Sequence, residues 1–232
     1  MTRVALCLLA ALIVGCAATS VAPAVTAEAL RQQAVARRSE GKSAEAENLL
    51  GQAIRAQPTQ TRDQRSAAAD LRRELASLRV AGDDLVGAEK LYREALTLLE
   101  TAPRGADAAI INLRTQLAGL CYRQSRFDEA ADFYRTVLAL EVTLLGETHP
   151  DPLGTMSILG GLELKRGKFA EAETLFRRQL RGVQQVHGAE KRETASVLDN
   201  LADVLEKAGR AAEATRLRGE AARIRRKLCD EC

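Results

Sequence analysis

Small and large apolar residues recur along this chain at a fixed interval. Ala46, Ala88, Ala130, Ala172 and Ala214 stand 42 residues apart at every step. Upstream of each anchor lies a second small column, Ala34, Ala76, Ala118, Gly160 and Ala202, preceded directly by Gln33, Leu75, Leu117, Leu159 and Leu201. Downstream lie two bulkier columns: Leu49, Leu91, Phe133, Leu175 and Leu217, then Leu50, Tyr92, Tyr134, Phe176 and Arg218. Within each interval the apolar positions fall at helical spacing in two stretches. A break such as Gly41-Lys42, Ser125-Arg126, Gly167-Lys168 or Gly209-Arg210 separates them. The pattern predicts five helix pairs. Small columns let two backbones approach, and large columns fill the space between successive pairs. A lone pair cannot cover both of its apolar faces, whereas five stacked pairs form a continuous core. Pro58, Pro103, Pro150 and Pro152 all fall between units, so none interrupts a predicted helix.

These columns resemble the tetratricopeptide repeat family, with Leu-Ala in the first helix, Gly before the turn, then Glu-Ala and a Leu-aromatic pair. Leu159-Gly160, Gly167, Glu171-Ala172 and Leu175-Phe176 carry the pattern. The period is longer than the family's usual one, and Leu145-Gly146-Glu147-Thr148-His149-Pro150-Asp151 is similar to the connector of the kinesin-light-chain-like subclass. The resemblance implies an all-α fold, a right-handed α-solenoid of five antiparallel helix pairs over residues 27–228, with units at about 27–60, 61–103, 104–150, 151–188 and 189–228. Gln33 and Arg37 depart from the pattern in the first unit, which suggests an atypical cap. Gly82 is displaced by one place in the second unit, leaving Asp83 in the glycine column and suggesting a variant turn.

Composition sharpens this picture. The chain is 46% hydrophobic but only 3% aromatic, with no Trp, as expected of thin layers rather than one large core. A formal net charge of +3, from 34 cations and 31 anions, gives no global field for nucleic acid.

The N-terminus reads separately. Arg3, the apolar run Val4 to Val14, and small residues after it form a secretory signal, too short for a stable membrane span. Ile13-Val14-Gly15-Cys16 resembles the lipobox of bacterial lipoproteins. That resemblance implies a signal peptide at 1–15, lipidation of Cys16, and membrane attachment through the N-terminal lipid. Ala17, in place of Asp, implies the periplasmic face of the outer membrane. The alternative is an ordinary signal cut after Ala17 or Ala24. Residues 16–26 would form the lipidated Cys and tether, with a reach of no more than about 35 Å.

Catalytic chemistry is sparse. His149 and His187 lie in connectors without partners at metal-ligand spacing, and no phosphate loop or nucleophile elbow is present. No enzyme activity, cofactor, metal or small-molecule substrate is expected. Cys121 reads as a small apolar residue in a first-helix column. Cys229 and Cys232 form a Cys-x-x-Cys within a tail at 229–232, a candidate disulfide clip or, in a second reading, a thiol or metal handler held by the solenoid. The last helix carries Arg216, Arg218, Arg223, Arg225, Arg226 and Lys227, either a solvated face or a landing patch for anionic lipid, peptidoglycan or an acidic partner.

Family resemblance implies that a protein or peptide partner binds a concave surface lined by the first helices. Counting back from the anchor alanines selects Arg31, Val35, Arg73, Ser77, Thr115, Gly119, Ser157, Gly161, Asp199 and Asp203, with Tyr122 beside them. Asn200 is similar to the paired Asn residues with which kinesin-light-chain-like grooves hold a peptide backbone. Along these positions the charge runs from basic in the first units to acidic in the last. The chain is expected to act as a lipid-anchored, non-enzymatic adaptor in envelope, secretion or pilus assembly.

Overall fold

A computed structural model describes residues 26–101 and 107–230. Among these, ten helices follow in order: α1 (Ala27–Ser39), α2 (Ser43–Ala56), α3 (Arg62–Ala81), α4 (Leu85–Glu100), α5 (Asp107–Arg123), α6 (Phe127–Leu145), α7 (Pro150–Lys165), α8 (Phe169–His187), α9 (Arg192–Lys207) and α10 (Ala211–Asp230). Consecutive helices pack as five pairs, and each second helix also packs on the first helix of the next pair. The result is an all-α solenoid. The signal and tether, with Cys16, and the terminal Cys232 lie outside the described residues. Cys229 belongs to α10 as a free, exposed thiol, because the helix runs further than the expected tail boundary.

Close approach within a pair rests on the small columns. Ala46, Ala88, Ala130 and Ala172 are fully buried, as are Ala76, Ala118 and Ala202. The fourth pair shows why one copy is glycine: a Cβ on Gly160 would stand 2.8 Å from Cζ of Phe176. Leu75, Leu117, Leu159 and Leu201 are buried in clusters that join each pair to its predecessor. Gln33 occupies the same column in α1, is exposed, and meets no preceding pair among the described residues. Its polarity seals an end of the stack.

The expected variant turn is not variant in its backbone. Gly41, Asp83, Ser125, Gly167 and Gly209 all have positive φ, between 60° and 80°. In every pair the residue after it donates its N–H to a carbonyl five positions earlier, as in Lys42 to Arg37, Asp84 to Arg79 and Arg126 to Cys121. Such a left-handed close satisfies the helix-end carbonyls. Asp83 therefore adopts the turn conformation itself, and Gly82, at φ −84°, does not. The Asp84 carboxylate accepts from the Gly87 N–H at 2.9 Å, and a Cβ on Gly87 would collide with it. That cap explains why this copy alone lacks the Glu before its anchor alanine.

Two changes test this layout. Ser125→Gly should stabilise the protein by about 1 kcal/mol, since a left-handed residue with a Cβ carries a cost of that order, and Gly167→Ala should destabilise it comparably. Gly160→Ala should lower stability by about 1–3 kcal/mol through overpacking. Adding Phe176→Leu should recover part of the loss, read as a non-additive double-mutant cycle in denaturant unfolding.

Candidate functional site

On each first helix, positions spaced by four, three and four residues share one face. In α5 these are Asn112, Gln116, Gly119 and Arg123; in α7, Gly154, Ile158, Gly161 and Lys165; in α9, Ser196, Asn200, Asp203 and Lys207. Gly119 and Asn200 are half-buried and the other ten are exposed. A Cβ on Gly119, Gly154 or Gly161 would meet nothing within 4 Å, so the helix backbone itself lies open. Ile158 sits between two of these glycines with 51% of its surface exposed. The centre of this face is an uncharged trough with one aliphatic side chain on its floor.

The expected site residues divide into two groups. Arg31, Arg73, Thr115, Ser157 and Asp199 are half-buried on the flanks of their helices. Arg31 donates through Nε to Glu74 at 2.9 Å, and Arg73 pairs with Asp70 at 3.2 Å. Asp199 pairs with Arg225, and Asp203 with Arg218 at 2.7 Å. The Ser77 and Thr115 hydroxyls donate to carbonyls one turn back, of Arg73 and Ile111. Asn200 and Ser157 make no side-chain hydrogen bond within the described residues. The expected run from basic to acidic therefore does not exist as free charge, because ion pairs within α3 and between helices engage it.

A different row carries the exposed charge. Arg123, Lys165 and Lys207 end α5, α7 and α9 at 42-residue spacing, and all three are exposed. In α1 and α3 the same column holds Ser39 and Ala81, while Glu28, Asp70 and Glu74 share that face. Those acids are themselves paired, Glu28 and Glu74 with Arg31 and Asp70 with Arg73, so they are no free acidic counterpart to the basic row. Tyr122, expected to stack on a partner, already has a cation. The Lys165 ammonium lies 4.7 Å from its ring centroid and 4.5 Å from that of Phe127, and donates to the Tyr122 hydroxyl at 3.2 Å.

Ion pairs at the turns tie the units together. Arg126 bonds Glu89 of the preceding pair at 2.5 Å and Glu129 of its own, and Arg210 repeats this with Glu173 and Glu213. The Arg126 hydrogen bond holds the Glu89 carboxyl below its ordinary range. At the junction between these two clamps Ala131 replaces the acid, and Glu163 of α7, almost wholly buried, takes its place between Arg135 and Arg166. Glu89, Cys121 and Glu129 come within 4.8 Å of one another, but Arg126 engages both carboxylates and burial raises the Cys121 thiol. This cluster is a structural clamp. His149 caps α7, its Nδ1 accepting from the Asp151 N–H at 3.2 Å, which accounts for that histidine without catalysis.

A cleft of about 650 Å³ lies away from this face between α6 and α8. Its floor is Leu138, Val142, Leu159 and Leu175, and its rim includes Arg135 and Arg178, already paired with Glu163 and Glu147.

Sequence models of the tetratricopeptide repeat match residues 151–227 and 111–151, together about half of the chain. No curated protein matches the sequence. Among solved structures the chain is similar to kinesin-light-chain TPR-like repeats from Podosopora anserina, at 20% identity and TM-score 0.69, over 87% of this chain and 95% of that one. It is also similar to BtubC (BKLC) from P. vanneervenii, at 22% identity and TM-score 0.63, over 87% and 80% of the two chains. A third similar structure is YrrB, described as a TPR protein with an unusual peptide-binding site, at 14% identity and TM-score 0.57, over 85% and 86%. At these identities the likeness is one of fold.

The acids beside the site also fasten the last helix. Arg218 and Arg225 bind α9, while Arg223 and Lys227 bind Glu190 in the connector before it. Four of the six cations read from the sequence as a patch are therefore internal staples. Lys227 holds the Glu190 carboxyl, and Arg218 the Glu206 carboxyl, below their ordinary values. A carboxyl depressed by folding stabilises above its unfolded pKa and ceases to do so as pH falls through the folded one. Hydrogen-exchange protection of α10, corrected for the intrinsic pH dependence of exchange, should accordingly fall as the pH is lowered below the ordinary carboxyl range of about 4.3.

Proposed function

The chain belongs to the tetratricopeptide repeat family, and from that premise we propose that it is a non-enzymatic scaffold whose first-helix groove takes an extended segment of a partner protein. The observation that carries this reading is the open trough of Gly119, Gly154, Ile158 and Gly161. Exposed backbone and one aliphatic side chain suit a main chain laid across the helices. The flanking amides Gln116 and Asn200 offer donors and acceptors for its peptide groups. The peptide-binding site named for YrrB supports the same use of the fold.

On this proposal Cys16 is the lipidated residue and the scaffold faces the periplasm from the outer membrane, serving envelope, secretion or pilus assembly. Support for the anchor is the ordered signal of Arg3, apolar run, small residue and Cys16. No described helix is long and apolar enough to cross a membrane. Thiol handling by Cys229 and Cys232 is the weaker reading. Cys229 lies in the last turn of α10, whereas reactive thiols favour the opposite helix end.

Gly161→Leu fills the trough without touching the core, and Leu is a better helix former than Gly. A photocrosslinker at Ile158 in intact cells should give a discrete adduct that Gly161→Leu abolishes while the melting temperature holds. An unchanged adduct would refute the groove. Cys16→Ser should move the protein from the membrane fraction to the soluble one.

A further inference from the structure

Resting on the groove reading, we infer that α5, α7 and α9 receive an acidic segment of the partner, with carboxylates at every third residue meeting Arg123, Lys165 and Lys207. An uncharged residue of that segment lies over Ile158. The three cations occupy one column, each exposed at the end of a first helix. Helix dipoles alone do not account for them, since a dipole favours a cation in any last-turn position. In α1 and α3 the last-turn cations stand in other columns, at Arg37, Arg38 and Arg79, and this column holds Ser39 and Ala81. Restriction to three consecutive units is what a ligand spanning those units requires.

The spacing selects the ligand's conformation. Neighbouring packed helices stand about 8–10 Å apart. α7 packs directly on α9, and Lys165 bridges to Tyr122 at the end of α5. A polyproline II segment advances about 9.3 Å per three-residue turn, so every third side chain points the same way. One carboxylate per turn therefore meets one cation per unit. Asp203 does not oppose this, because Arg218 holds its carboxylate. Arg123 is held only by the exposed Asp83 at 2.8 Å, a surface pair worth little against an incoming acid. Lys165 rests over two rings, and Lys207 has no ion-pair partner within the described residues. In the first two units that column holds Ser39 and Ala81, and the acids of that face, Glu28, Asp70 and Glu74, are paired with Arg31 and Arg73, so nothing there continues the row of cations and the footprint ends at α5. A single file of cations beside an uncharged trough suits a protein strand rather than a lipid surface, and the trough offers no aromatic platform for bases.

Titration calorimetry of the full chain with two synthetic peptides tests this: five repeats of Glu-Ala-Pro, and five of Lys-Ala-Pro. The Glu peptide should bind, more weakly as salt rises. Combined Arg123→Glu, Lys165→Glu and Lys207→Glu should weaken it about tenfold or more, measured well below a melting temperature that should fall somewhat as Lys165 loses its contacts with Tyr122 and Phe127. The triple Gln variant should fall between. Equal binding of the Lys peptide, an unmoved Kd in the charge-reversed variant, or displacement of the Glu peptide by phosphatidylglycerol vesicles would overturn the inference. If the charge-reversed variant keeps the Ile158 adduct in cells while Gly161→Leu loses it, the acidic segment is wrong and the groove stands. If Gly161→Leu keeps the adduct, the groove itself is wrong.

Discussion

Everything in this molecule depends on two helices lying close enough for their backbones to be separated by little more than methyl groups. Ala34 against Ala46, and its counterparts down the chain, set that distance. Where Phe176 takes more room, Gly160 gives it up. Because the distance is nearly constant, each pair presents the same ledge to the next, and a single turn backbone closes all five. A β-branched residue in either small column would push the pair open and misalign every unit beyond it.

The periodicity made the fold legible. A column of alanines at constant spacing is a statement about close contact that needs no knowledge of neighbours, and so is the placement of proline between units. The groove was less legible because the choice of columns requires the rotation of each helix about its axis, which stacking sets. Counting from the anchors selects Gly119, Gly161 and Asp203 on this face but also the flank column of Arg31, Arg73 and Asp199, whose partners Glu74, Asp70 and Arg225 reside mostly on other helices, while Asn200 rests on the family resemblance. The row Arg123, Lys165 and Lys207 was visible at the same spacing and was missed for want of that rotation. Gln116 and Ile158, one position along from the chosen column, were missed for the same reason.

Charge does two different jobs in one chain. Arg126 and Arg210 reach across unit boundaries to buried or half-buried carboxylates, and Glu163 keeps the intervening boundary bonded after Ala131 has removed the usual acid. These groups are consumed by the scaffold. What is left unpaired on the first-helix face is a short list, and its shortness gives the surface a direction. A chain almost balanced in formal charge can thus present a basic row on three consecutive units of one face.

The polar end at Gln33 and Arg37 has a mechanical consequence. α1 and α2 are the shortest pair, at 13 and 14 residues, and they have a neighbour on one side only. In a stack whose units touch only their neighbours, opening one pair leaves the next intact. Under load at its Thr26 end this pair opens first, and the pairs from α5 to α10 stay folded.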